Sequence, residues 1–318
     1  MRRLGVLILA LIVAVAALAL AGGSAATRSS AQGRPVRVVT GLAIVHDLVG
    51  RVGGDRVEAF SIVPPGADPH TYQPTPRDIQ SLQGARLAVW NGLGLDETSA
   101  DLVAEQGLPD LTVVVLAEGI TPIAGDEHEH QAEAHEEEEG DEHGDTHADG
   151  NPHLWLDPAY AVRYVERIRD ALIEVDPANA ETYGANAAAY IGEIEALDAW
   201  AKGEIATIPA ERRKLVTFHD AFPYLADHYG LELVGVVLKS PGREPSAQEV
   251  AMLVTEIRQH QIPTVYAEPQ FNARILELAA RDAGIQVKRL YSDAFDDQVK
   301  TYLDLMRFNV TSLVEGLR

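Results

Sequence analysis

The 318-residue sequence contains no cysteine, only 6% aromatic residues and fewer basic than acidic side chains, 26 against 48. Each shortage excludes something. Without thiols the chain forms no disulfide, so a fold in an oxidising compartment stands on its core alone. Any metal site must then be built from His, Asp and Glu. The formal net charge of −22 argues against a nucleic-acid partner, because phosphate binding needs a basic face. After the first 21 residues no apolar run is long enough to span a bilayer. What remains is ordinary for a globular protein, with 46% hydrophobic and 23% charged residues, and the length suits two domains with a sizeable core.

The N-terminus pairs Arg2 and Arg3 with an apolar run from Leu4 to Leu20 and a small-residue site at Ala19–Ala21. This layout predicts a secretory signal peptide over 1–21, with an uncleaved membrane anchor as the rival. Residues 22–34 are Gly/Ser/Ala-rich and read as a flexible lead.

Beyond the lead, two similar halves follow. Short, mostly β-branched runs at 35–45, 57–63, 86–92 and 111–117, then at 213–220, 231–237, 262–269 and 286–292, read as strands covered on both faces. Helical stretches lie between them. One is "TPRDIQSLQGA", where Thr75 can cap and Pro76 takes the first helical position; others are "SAQEVAMLVTEIRQHQ" and "NARILELAARDAG", the last stopped by Gly284. Strand–helix alternation predicts an α/β protein of two lobes, each a mostly parallel sheet flanked by helices: an N-terminal lobe over 35–176 and a C-terminal lobe over 209–318. The Ala- and Glu-rich segment 177–208 lacks an internal Pro and reads as one long rigid linker helix.

Histidine is concentrated in one place. Residues 125–150 hold His128, His130, His135, His143 and His147 among twelve carboxylates with no Lys or Arg. The composition predicts a disordered, solvated loop whose imidazoles collect metal weakly. Directly after it stands His153 in "NPHLWLDP". His70 in "PPGADPHTYQPTP" follows the second predicted strand, His219 in "LVTFHDAF" ends the fifth, and Asp293 in "LYSDAF" follows the last. Ligands of open α/β sheets bind beyond the carboxyl ends of strands. Three imidazoles and one carboxylate match the preferences and tetrahedral count of Zn²⁺. Spacing alone leaves this open, since the four lie far apart in sequence. Asp293 could instead cap a helix, and Asp296 and Asp297 compete for its role. Glu268 in "YAEPQF" could orient a ligand imidazole, pair with Arg274, or cap the helix starting near Asn272. Trp155 and Phe218 are expected to shield the ligands. His46, His228 and His260 have no supporting context.

The motifs "GADPHTYQPTPRDIQSLQGARLAVWNGLGLD", "NPHLWLDP", "VTFHDAFPYLADHYGLELVGV", "IPTVYAEPQF" and "YSDAFDDQVKTYLDLMRFNVTSLVEGL" occur in order from about Arg37 to Arg318. Together they resemble the zinc/manganese solute-binding proteins of bacterial ABC transporters. That resemblance implies a non-enzymatic protein with two lobes, a long rigid helix between them, and one divalent ion in the cleft. His70 and His153 would be the ligands of the first lobe, and His219 and Asp293 those of the second. Manganese-selective relatives carry a carboxylate where this chain has His219, so the resemblance is to the zinc branch; Mn²⁺ is the alternative cargo, and a zinc-dependent hydrolase the alternative class. The implied partner is the permease of an ABC importer in the cytoplasmic membrane, served by an exported, periplasmic monomer. Many members carry a lipidated cysteine, and its absence here implies a free protein or one held by an uncleaved signal segment.

Overall fold

The computed structural model describes residues 34–124, 150–238 and 246–318. The predicted signal peptide and most of the lead, like the His-rich run 125–149, lie outside the described residues. Among the described residues no helix is long and apolar enough to cross a membrane.

The first half runs β1 (Val36–Thr40), α1 (Ala43–Gly53), β2 (Val57–Ser61), α2 (Pro76–Ser81), β3 (Leu87–Trp90), α3 (Glu97–Glu105) and β4 (Thr112–Val115). Helix α4 (Pro158–Val175) follows, and then α5 (Ala180–Ile205). The second half runs β5 (Lys214–His219), α6 (Pro223–Tyr229), β6 (Glu232–Leu238), α7 (Ala247–Gln259), β7 (Thr264–Ala267), α8 (Arg274–Ala283), β8 (Gln286–Arg289) and α9 (Tyr302–Leu317). All eight expected strands are present, in two four-stranded sheets ordered β2-β1-β3-β4 and β6-β5-β7-β8. Every pairing is parallel. The strand order therefore reverses between β1 and β3 in one sheet and between β5 and β7 in the other. Such switch points leave a crevice at the carboxyl ends of the strands.

Two expectations need adjusting. The apolar run 35–45 is not one strand: β1 ends at Thr40, and Ala43 to Val45 open helix α1. Gly41 allows the break, because the Asp96 carboxylate occupies the space a Cβ would need. The strands are also not uniformly covered. Central β3 and β7 are buried throughout, whereas edge strands β2, β4 and β8 are only partly buried, since each lacks a neighbour on one side.

Local signals behave as read. Asp78 accepts hydrogen bonds from both the backbone N–H (2.7 Å) and hydroxyl (2.8 Å) of Thr75, boxing the start of α2. Gly284 ends α8 in the left-handed conformation at φ 76°. Helix α5 is the long connector, 26 residues and about 39 Å at 1.5 Å per residue. Tyr183, Ala187, Tyr190, Ile194, Leu197, Ala201 and Ile205 form one buried stripe along it. That stripe belongs to a single core cluster with residues of α1, α4, α6 and α9. The connector is thus a spine packed into both sheets' helices, not an exposed rod. Truncating one of its large buried side chains to Ala costs about 2–5 kcal/mol.

Candidate metal centre

Three loops and one strand end carry the candidate ligands to one place. His219 is the last residue of β5, at the switch point of the second sheet. Asp293 follows β8 by four residues. His70 sits in the loop after β2, where Asp68 accepts from the His70 backbone N–H (3.0 Å) and the Thr71 hydroxyl (2.8 Å) and sets the turn. His153 precedes a 3₁₀ turn of Leu154, Trp155 and Leu156, each fully buried. This apolar triplet anchors His153. The Trp155 indole N–H donates to the Ser292 carbonyl (3.0 Å), and the Tyr302 hydroxyl to the Trp155 carbonyl (2.9 Å). Asp157 then caps α4 by accepting from Ala159 N–H (2.8 Å), with Pro158 at the first helical position.

One ligand atom from each of His70, His153, His219 and Asp293 lies within 4.8 Å of every other. The His153 Nε2–Asp293 Oδ1, His219 Nε2–Asp293 Oδ2 and His153 Nε2–His219 Nε2 separations are all 3.3 Å. His70 Nε2 is 3.8 Å from Asp293 Oδ2. The four side chains are 0–2% exposed. Burial alone would disfavour charge on His219, yet the Glu268 and Asp293 carboxylates outweigh it and hold its pKa well above the ordinary histidine value. Burial would likewise push Asp293 up, but His153 and His219 hold it well below the usual carboxylate range. The cluster is therefore a compact, dry place for positive charge against a carboxylate.

Two ring orientations are fixed from behind. His153 Nδ1 meets Asn151 Oδ1 at 2.9 Å, and His219 Nδ1 meets Glu268 Oε1 at 2.8 Å. An imidazole donating through Nδ1 presents its Nε2 lone pair forward, which is the arrangement metal-binding histidines need. Of the three readings of Glu268, the orienting one matches the geometry. Asn272 itself accepts from Arg274 N–H (3.2 Å), and Asp293 caps no helix. Asp296 accepts from the N–H groups of Gln298 (2.8 Å) and Val299 (3.0 Å), a loop-shaping role. Trp155 packs edge-on to His153 at 5.4 Å between centroids. Phe218 instead stacks on Phe271 (5.2 Å), and Phe271 is the ring that faces His219 (5.0 Å).

Asn151 was not singled out by the sequence. It is fully buried, and its amide donates to the Asp220 carbonyl (2.6 Å) and carboxylate (3.3 Å). The only signal was the "NPH" triplet itself. His228 is likewise more than a surface histidine: its two nitrogens meet Asp157 and Asp198 at 2.8 Å each, tying α6 to the start of α4 and to α5. His128, His130, His135, His143 and His147 lie outside the described residues.

A buried three-histidine, one-carboxylate cluster at the strand ends of two parallel-sheet lobes is the layout of a divalent-metal carrier. The family model described as "ZnuA: Zinc-uptake complex component A periplasmic" matches residues 38–316, and the chain belongs to that family. It is 34% identical over 309 residues to the iron-binding protein YfeA of Yersinia pestis, covering 96% of this chain and 94% of that protein. It is 31% identical over 311 residues to the manganese-binding lipoprotein MntA of Halalkalibacterium halodurans, covering 96% of each. Among solved structures it is similar to a Cd-bound periplasmic metal binding protein from Candidatus Liberibacter asiaticus, with TM-score 0.76 and 27% identity over 89% of this chain and 100% of that one. The protein is therefore a metal-binding, substrate-binding component of an ABC importer, exported to meet its cargo, and not an enzyme. The hydrolase alternative is set aside on this ground. The candidate cluster has four members, Asp293 among them, whereas a catalytic zinc keeps one of four positions open for water. The named lipoprotein relative contrasts with the absence of cysteine here.

Proposed function

We propose that the protein captures one Zn²⁺ ion through His70, His153, His219 and Asp293 and hands it to the importer's permease. The observation that carries the choice of metal is the donor set: one ligand atom from each of three imidazoles and one carboxylate, every one within 4.8 Å of the others. Four N and O donors of this kind are the complement of a tetrahedral zinc site. Three imidazoles also suit zinc better than the harder Mn²⁺. The likeness to the manganese-binding MntA and the iron-binding YfeA supports the alternative that this chain carries one of those ions instead.

In this reading the lobes are 35–176 and 209–318, joined by 177–208. Loading involves small adjustments of the ligand loops, because α5 packs into a core shared by both lobes. The His-rich run acts as a weak collector of metal. The protein works as a free monomer or is held by its N-terminal segment, since none of its 318 residues is a cysteine that could carry a lipid. The test is the metal content of protein purified from its native compartment. One zinc per chain is expected; stoichiometric manganese or iron would overturn the choice of cargo.

A further inference from the structure

We infer that Glu268 is a positioning residue that sets metal preference, acting through His219 to favour zinc over manganese. The inference rests on the proposed ligand set. Glu268 follows β7, the strand beside β5 at the switch point, and its side chain is fully buried. Oε1 accepts twice from one residue, from the His219 backbone N–H (3.2 Å) and from Nδ1 (2.8 Å). Oε2 accepts from the Ser292 hydroxyl and from Gln270 Nε2 (3.3 Å). Among the described residues no Lys or Arg comes within salt-bridge reach of it; its one ionic partner is His219.

A buried carboxylate without a basic partner is costly unless something else takes up its charge. Here the imidazole of His219 stands between Glu268 and the proposed ion. Hydrogen bonding from Nδ1–H to a carboxylate makes Nε2 a stronger donor. A stronger nitrogen donor benefits borderline Zn²⁺ more than hard Mn²⁺, which draws its affinity from oxygen ligands. Gln270 ties the arrangement together. Its Nε2 also donates to Ser292 Oγ (2.8 Å) and Asp293 Oδ2 (3.3 Å), so the carboxylate behind the site and the carboxylate in it share one amide. Ring position has a separate support, since Phe271 packs edge-on to His219. Glu268→Gln therefore removes the charge while leaving an oxygen to accept from Nδ1 and a ring held in place.

The experiment titrates zinc alone and manganese alone into the full-length protein, using wild type, Glu268→Gln, His219→Gln and the double variant, with melting temperatures of each metal-free form. Glu268→Gln should weaken zinc by about 10–100-fold. It should weaken manganese less, so that the zinc-to-manganese preference falls at least about fivefold, and it should lower the metal-free melting temperature, because His219 loses its buried ionic partner. In the His219→Gln background it should add no further loss. Unchanged zinc affinity, equal weakening of both metals, or the same loss without His219 would each overturn the inference. Wild type that takes up neither ion at this site would instead sink the proposed function.

Discussion

Asn151→Ala tests how far the site depends on a residue that touches no ion. Its side chain makes four buried hydrogen bonds: to the Asp220 carbonyl and carboxylate, to the His153 backbone N–H (3.1 Å) and to His153 Nδ1 (2.9 Å). At a net value of about 1 kcal/mol each, alanine should cost about 3–4 kcal/mol of stability. For a chain of this size that is a fall in melting temperature on the order of 10 °C. Zinc affinity should fall a further 10–100-fold, roughly 1.4–2.7 kcal/mol, because His153 loses the acceptor that fixes its ring. Thermal melts and zinc titration read the two effects separately. Asn151→Asp separates them again, keeping an acceptor for Nδ1 but losing the donor to Asp220. It should bind zinc closer to wild type than the alanine variant while melting early. Zinc affinity unchanged in Asn151→Ala, with stability alone reduced, would refute the orienting role.

Two further outcomes follow from the same contacts. The Asp157 hydrogen bond and, behind it, that of Asp198 raise the His228 pKa above the ordinary value, against the opposing effect of burial. A raised folded-state pKa gives stability that is present below about pH 6.5 and lost as pH climbs through the folded value. Melting temperature should therefore drop between about pH 6 and pH 9 by more in wild type than in His228→Gln, and parallel curves would contradict the bridge. Deleting residues 126–149 should leave one tight zinc bound and remove only weak ones in calorimetry; loss of the tight ion would show that the run supplies a principal ligand.

Much of the fold was legible because its signals are local. Eight β-branched runs separated by helical periodicity specify two parallel sheets, and Thr75, Pro76 and Gly284 mark helix ends through chemistry that acts within a few residues. Gly41 shows the limit: whether the apolar run 35–45 breaks there depends on Asp96, more than fifty residues away, whose carboxylate fills the space beside it. Of the four candidate ligands, His70, His219 and Asp293 stand after strands, whereas His153 follows the acidic run and was picked out by the family resemblance, since their spacing carries no pattern. What supports them was harder to see. Asn151 looks like any loop asparagine until Asp220 is brought opposite it. His228 has its partners at positions 157 and 198. Glu268 had three plausible partners, and only the adjacency of β5 and β7 selects His219. Hydrogen bonds between segments distant in sequence leave no periodic trace.

The most direct test of the account is zinc titration of wild type and His219→Ala at equal protein concentration, with affinity read by competition against a chelator. The account predicts one tight ion in wild type and an affinity lower by at least about a hundredfold in the variant, because a tetrahedral site loses one of its four donors. Equal tight binding by both proteins would place the ion elsewhere and contradict the assignment of His70, His153, His219 and Asp293.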